Sequence, residues 1–434
     1  MSNQNNQYNV CPKVVPANKK STIAIKPPFS FYAFKPDRQY EIVHYPVDYS
    51  ERNGRDEKNC TFTAYPKDGI LYVELYFEGE QEHIIYVNDI TGGGKREIGV
   101  FSIYSLEKDL YNRRPYKGDM HMHTYYSDGL DSPAYVAASC RKVGLDFMAI
   151  TDHGKYEPSI EAQQAYQGVD IDLRIFRGEE VHPPRNPLHI VNFGGSFSVN
   201  EMFEKDRDTY IREVADIERE IAGEVRQEPE RYQLASAIWC FDKIRQGGGL
   251  GIFCHPFWRI HNGYYISTLL TEYLYEKQPY DALELIGGYH RHELDSNILQ
   301  VASYHEQRAK GRKIPIVGVT DAHGCDTGEL FGWYYTIVFS PSLKFEDLRD
   351  SIKDFYSVAV EAVPGERKVA HGEFRLVKYA LFLLREVLPQ HDEICLNEGN
   401  LMIEYIKDNN DAKKQLEKLK GGVDSLYSSY WTQL

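Results

Sequence analysis

His121, Met122 and His123 run directly into TYYSDG (Thr124 to Gly129), and Asp321-Ala322-His323 follows far downstream. Each triplet places two metal-binding side chains around one apolar residue. In extended backbone alternate side chains share a face, so each pair projects toward one point. Further donors lie between the pairs, each on or beside a short apolar run. These are Asp152-His153 after FMAIT, Glu179-Glu180 after LRIFRG, His189 within LHIVNF, and His255 after GLGIFC. Mixed imidazole and carboxylate donors suit zinc, manganese or iron and argue against an all-oxygen calcium site. One HxH alone is more often a pair of surface histidines. An ordered series of such elements points instead to a metal-dependent enzyme. Bound divalent ions lower the pKa of water from 15.7 toward ~7 and stabilise charge on attacking and leaving oxygens, so no side-chain nucleophile is required. In keeping with this, the chain has no GxSxG elbow and no Walker A loop. Its cysteines (11, 60, 140, 240, 254, 325, 395) form no CxxC pair. Cys254 and Cys325 neighbour candidate ligands, and for Cys254 a buried apolar role outweighs a catalytic one.

The order HMHTYYSDG, ITDHG, GEEV, HIV, CHP and TDAHG resembles the polymerase and histidinol phosphatase (PHP) superfamily across about residues 117 to 340. That resemblance implies an α/β fold, a distorted (β/α)7 barrel, with three divalent metal ions (Zn, Mn or Fe). It assigns His121, His123 and Asp321 to a first metal, with Glu180 bridging to a second metal held by His189 and His255. Asp128, His153 and His323 would hold a third. Glu180 is preferred to Glu179 because the family's glutamate directly precedes an aliphatic residue, here Val181. The implied activity is hydrolysis of a small phosphomonoester by a metal-bound hydroxide. Relatives with an N-terminal β domain resemble enzymes that cleave carbamate esters, which leaves another ester or amide open. A silent binding module would show missing ligands, and none is missing here.

The segments that must hold these donors agree with that architecture. From 118 to 340, short apolar runs (DFMAIT, LRIFRG, LHIVNF, LGIFC, ALELIG, IPIVGV, YYTIVF) alternate with amphipathic stretches such as SPAYVAASCRKVG and RYQLASAIWCFDKIRQ. Such alternation predicts parallel β/α units. His153, Glu180, His255 and Asp321 fall where apolar runs end, at the strand ends that carry reactive groups in β/α barrels. Gly247-Gly248-Gly249 reads as a turn out of a helix rather than a phosphate cradle. The charged stretch FEKDRDTYIREVADIEREIAGEVRQEPER is expected to be a solvated helix, with a lid over the cleft as the sharper alternative.

Substrate contacts are less legible. Arg259 in HPFWR resembles a family arginine that meets phosphate, and a guanidinium suits bidentate phosphate binding. A surface loop arginine would look the same. His290, Arg291 and His292, on the loop after ALELIGG, are candidates for binding substrate or donating a proton. His182, Arg185 and Lys155 are weaker rim candidates, while His44, His83, His371 and His391 read as ordinary histidines.

At 434 residues and 42% hydrophobic, the chain can bury a large core over two or three domains. The boundaries read from sequence are a β-sandwich-like domain at 1–116, the hydrolase domain at 117–345, and a helical region at 346–434 that caps the barrel or forms a homo-oligomer contact. Lys67-Asp68-Gly69 between two alternating runs predicts a hairpin. FRLVKYALFLLREVL (Phe374 to Leu388) predicts a helix ended by Pro389. A net charge of −14 argues against a basic nucleic-acid face but permits a small anionic substrate at a metal site. Nothing at the N-terminus reads as a leader, no apolar run reaches 18 residues, and the cysteines are unpatterned. No membrane association and a cytoplasmic location are therefore expected.

Overall fold

The computed structural model describes residues 8–48 and 61–431. Cys60 and the MSNQNNQ terminus lie outside the described residues. The chain forms two compact units, one of Met1–Arg114, Lys378–His391 and Gly421–Leu434, the other of Pro115–Val377 and Asp392–Lys420.

The first unit has two sheets. A four-stranded sheet runs in the order Asn9–Cys11, Lys19–Lys26, Ile70–Phe77, Pro66–Lys67, and a five-stranded one Val14–Pro16, Arg96–Leu106, Glu82–Asp89, Tyr40–Pro46, Thr61–Ala64. Alternation does the folding: along ILYVELYF every second residue is buried. Ile23, Ile25, Val73 and Phe77 of one sheet share a core with Ile42, Ile85, Val87 and Ile103 of the other. Asp68 (φ 54°) and Gly69 (φ 77°) form the left-handed turn that the hairpin needs. Tyr379 and Phe382 pack on Tyr104 at 5.0 and 5.3 Å, and Glu386 pairs with Lys13 at 3.0 Å.

The second unit carries a six-stranded sheet in the order Arg174–Phe176, Phe147–Ala149, Arg114–Asp119, Tyr334–Ser340, Ser357–Glu361, Val369–His371. Its five-stranded sheet runs Gly178–Val181, Ile190–Phe193, Leu250–Phe253, Ala282–Ile286, Ile316–Gly318. Two single-residue parallel bridges link the sheets: Met122 with Ala322, in segments that follow Arg114–Asp119 and Ile316–Gly318, and His153, after Phe147–Ala149, with Glu180 of Gly178–Val181.

The strands are not all parallel. Gly178–Val181 and Leu250–Phe253 both run antiparallel to Ile190–Phe193. No helix separates Val181 from Ile190, and a connection that short cannot make a parallel crossover. The stretch after 345 is not wholly helical either. Ser357–Glu361, with its β-branched Val358 and Val360, pairs antiparallel with Tyr334–Ser340. Pro389 sits in the first turn of a second helix, Leu388–Tyr405, where its missing N–H costs nothing. Asp392 and Glu398 of this stretch pair with buried Lys117 and Arg141 at 2.7 and 2.6 Å. The charged insertion is amphipathic rather than freestanding: Tyr210, Val214 and Ile221 join the core beside Trp239. Gly248 (φ 75°) turns the chain from Glu230–Gln246 into Leu250–Phe253, as the glycine run predicts.

Candidate metal centre

Strand Arg114–Asp119 ends just before the first histidine pair, and the second donor pair follows Ile316–Gly318. The two segments lock together: Asp321 N donates to His121 O at 2.9 Å and His123 N to Ala322 O at 2.9 Å. Met122 and Ala322 are buried on the opposite side from the donors. Buried Asp119 accepts from His121 N (3.2 Å) and Thr320 N (3.1 Å) through Oδ1, and from Thr320 Oγ1 (2.5 Å) through Oδ2. One carboxyl thus anchors both segments. Asp152 does the same for the following loop, accepting from Thr124 N (2.7 Å), Thr124 Oγ1 (2.6 Å) and Ser127 Oγ (2.6 Å).

Glu180 lies at the middle of the cluster and is fully buried. Its oxygens stand 2.5 Å from His153 Nδ1, 2.8 Å from His189 Nδ1, 3.5 Å from His121 Nε2 and 3.6 Å from His123 Nε2. Glu179 points the other way, as strand alternation requires. It accepts from Asn192 Nδ2, Ser198 Oγ, Val199 N and Asn200 Nδ2 at 2.5 to 3.0 Å, which makes it a structural strut.

Asp321 Oδ1 lies 2.9 Å from His123 Nε2 and 3.3 Å from His121 Nε2. His255 Nε2 meets His189 Nδ1 at 2.9 Å. Asp128 Oδ2 lies 3.3 Å from His323 Nε2 and 3.4 Å from His153 Nε2. The structure therefore brings together all nine donors read from the motifs. His255 and Asp321 adopt φ of 26° and 51°, left-handed values that non-glycine residues avoid and that recur at functional sites.

Two residues join this cluster that the motifs did not place in it. His182, read only as a rim candidate, lies 2.7 Å from His153 Nδ1 and 3.5 Å from Glu180. Glu284, inside the apolar run ALELIG, is fully buried with Oε2 3.1 Å from His121 Nδ1.

The electrostatics are those of a site built for cations. Burial disfavours charge on Asp321, yet His121 and His123 hold it far below the carboxylate range. Burial also opposes ionisation of Glu180, and His189 and His121 reverse that. His189 is driven down to about 4 by burial, against the pull of Glu180. Burial opposes charge on His153, but the adjoining Glu180 carboxylate, together with Asp128 and Asp321, raises it to about 9. Among the described residues, His121 Nε2 and both Glu180 oxygens are buried at the centre with no hydrogen-bond partner, while His255 Nδ1 and Glu284 Oε1, also unbonded, face each other behind it at 3.5 Å. Orphaned polar atoms of this kind cost ~1–3 kcal/mol each. Their convergence, in a donor set of imidazoles and carboxylates, fits divalent metal ions.

The cluster opens into a cavity of about 290 Å³ lined by Asp128, His153, His255, Trp258, His290 and His292, among others. Arg259 and Arg291 are not among its lining residues. Arg259 lies exposed on a short hairpin with Tyr264. Arg291 is held by Glu366 at 2.8 Å and stacks over Trp333 at 5.3 Å. Cys254 is buried against the cluster, and burial pushes its thiol up, away from the reactive thiolate. No helix among the described residues is long and apolar enough to cross a membrane.

Residues 119–296 match the PHP domain family. The DNA polymerase/3'-5' exonuclease PolX of Bacillus subtilis is 45% identical over 53 residues, which span 12% of this chain and 9% of that protein. Among solved structures, a two-domain protein from Bacteroides vulgatus, described as containing a predicted PHP-like metal-dependent phosphoesterase, is 16% identical with a TM-score of 0.37, over 57% of this chain and 65% of that one. An amidohydrolase from Chromobacterium violaceum, solved with bound sulfate and no metal, is 16% identical with a TM-score of 0.30, over 48% and 87% respectively.

Proposed function

From a chain that carries a PHP domain with a buried histidine and carboxylate cluster, we propose a metal-dependent hydrolase with three divalent ions that cleaves a small phosphomonoester. The observation that carries this reading is the convergence of the orphaned buried atoms His121 Nε2 and both Glu180 oxygens amid the other imidazole and carboxylate donors. Ions held there would supply an activated water and a Lewis acid for the scissile group. In this reading His121, His123 and Asp321 form one set, His189 and His255 a second, and Asp128, His153 and His323 a third, with Glu180 shared between the first two. The strands that carry them form a distorted seven-stranded ring closed by the two single-residue bridges. His290 and His292 on the cavity wall replace Arg259 and Arg291 as the groups that meet substrate. His290 is oriented by Glu329 at 2.7 Å, which suits it to hold a proton for the leaving oxygen.

A second reading is favoured by one specific observation. No lysine or arginine stands among the residues lining the cavity, so a phosphate would be held by bound ions and by donors such as the histidines and Trp258. That lining suits a carbamate or another carbonyl ester or amide equally well. The test is turnover by metal-replete protein on phosphomonoesters, phosphodiesters, carboxylic esters and carbamates, beside a chelated control and H123A. Chelator-sensitive phosphate release, lost in a folded H123A, supports the first reading. Turnover confined to carbonyl substrates selects the second. Retention of most activity by H123A or by the chelated protein would defeat both.

A further inference from the structure

Glu284 lies in none of the motif segments, yet it holds a buried position behind the cluster. It sits in Ala282–Ile286, between the strands Leu250–Phe253 and Ile316–Gly318, with a side chain shut off from solvent. One oxygen stands 3.1 Å from His121 Nδ1 and the other 3.5 Å from His255 Nδ1. The opposite nitrogens of those rings face the centre. His121 Nε2 lies 3.3 Å from Asp321 and 3.5 Å from Glu180, and His255 Nε2 lies 2.9 Å from His189 and 4.0 Å from Glu180. The strand itself is held in place. Gln300 Nε2 donates to the carbonyls of Glu284 and Leu285 at 3.2 and 3.0 Å, and Tyr289 OH donates to Gln300 Oε1 at 2.6 Å.

We infer that Glu284 is a positioning residue: one carboxylate oxygen bonds Nδ1 of His121 and the other faces Nδ1 of His255, close enough to favour its proton there once the centre is filled, so that both rings turn Nε2 to a shared cation centre. The inference rests on the metal reading of the cluster. An imidazole offers one nitrogen to a metal, and the hydrogen bond made by the other selects which. Asp321 Oδ2 is the other carboxylate near His255 Nδ1, at 3.8 Å, but Asp321 faces the centre itself, whereas Glu284 stands behind both rings. A single carboxylate between histidines that follow two different strands can therefore bias both tautomers at once. A glutamine there would oppose this. Its oxygen can accept from one Nδ1–H, but its NH₂ would drive the other ring to the opposite tautomer.

The experiment compares wild type and Glu284→Gln by titrating metal-stripped protein with Zn²⁺ and with Mn²⁺ against a chromophoric chelator, reading both stoichiometry and Kd. The expected result is unchanged stoichiometry with Kd weakened about 10- to 100-fold at one or more sites, the range found for partners behind metal-binding histidines. The melting temperature of the stripped proteins serves as the control that a packing role would move instead. An unchanged Kd overturns the inference. So does the loss of one ion per chain, which would make Glu284 a direct ligand. A wild type that binds neither ion defeats the metal reading itself, and that failure is distinguishable because it appears before any variant is compared. Should Glu284→Gln fail to fold, long-range ¹H–¹⁵N spectra of wild-type histidines decide the matter. In zinc-loaded protein, protons on Nδ1 of both His121 and His255 are required, and a ring that keeps its proton on Nε2 refutes the assignment.

Discussion

Asp119→Asn offers a test whose size follows from the site. Asp119 is wholly buried, and burial pushes its carboxyl up to about 7, although its hydrogen bonds from Thr320 and His121 pull the other way. The fold therefore keeps this proton up to about pH 7, while the unfolded chain releases it near 3.8. Unfolding sheds a proton throughout that window, so wild-type stability falls as pH rises from about 4 to about 7 and is level beyond. At ~1.4 kcal/mol per pH unit the full cost is about 4 kcal/mol. Asparagine fits the same bonds. Its oxygen can accept from His121 N and Thr320 N as Oδ1 does, and its NH₂ can donate to Thr320 Oγ1 in place of Oδ2. In urea unfolding of metal-stripped protein, the variant should be more stable than wild type by about 4 kcal/mol at pH 8 and about 2 kcal/mol at pH 5.5. Equal or lower stability of the variant at pH 8 would refute the reasoning. It would mean that three donors outweigh burial and that Asp119 is an anion in the fold.

Two further outcomes are expected. His153, raised to about 9 by Glu180 over the opposing effect of burial, is protonated at neutral pH in metal-free protein. Metal binding should therefore release at least one proton, and affinity should rise up to about tenfold per pH unit below pH 9. Calorimetry in buffers of different ionisation enthalpy reads the release, and zero release at pH 7 would contradict it. Glu179→Ala strands Asn192, Ser198, Val199 N and Asn200 without their shared acceptor and should cost at least about 4 kcal/mol in urea unfolding. Wild-type stability in that variant would remove its role as a strut.

The donors that assemble here were legible because two-residue spacing places paired side chains together, because His153, Glu180, His255 and Asp321 fall where apolar runs end, and because the motif order resembles a known family. Alternation puts Glu179 and Glu180 on opposite faces, but it was the resemblance, with its glutamate directly before an aliphatic residue, that singled out Glu180. Glu284 escaped because a buried glutamate inside ALELIG carries no local signal. Only the fold shows that His121 and His255 stand before it. The arginines were less legible for a related reason, and neither lines the cavity. Spacing puts Arg259 near the cleft in sequence, but a hairpin carries it outward, and Arg291 is drawn off by Glu366 and Trp333. The antiparallel pairing of Ile190–Phe193 follows from the absence of a helix after Val181, a clue present in the sequence yet hidden by the regular succession of apolar runs.

The bridge between Met122 and Ala322 has a consequence for how substitutions act far from any ligand. Each is the apolar residue between two donors, and each is buried, with Met122 Sδ packed 3.4 Å from Cys140 Sγ. Slipping either segment by a single position would turn the thioether or the methyl toward the centre and drive the histidines into the wall. Met122 and Ala322 are thus register pins. The packing behind them, Cys140 included, sets the aim of the donors as surely as the donors' own identities do.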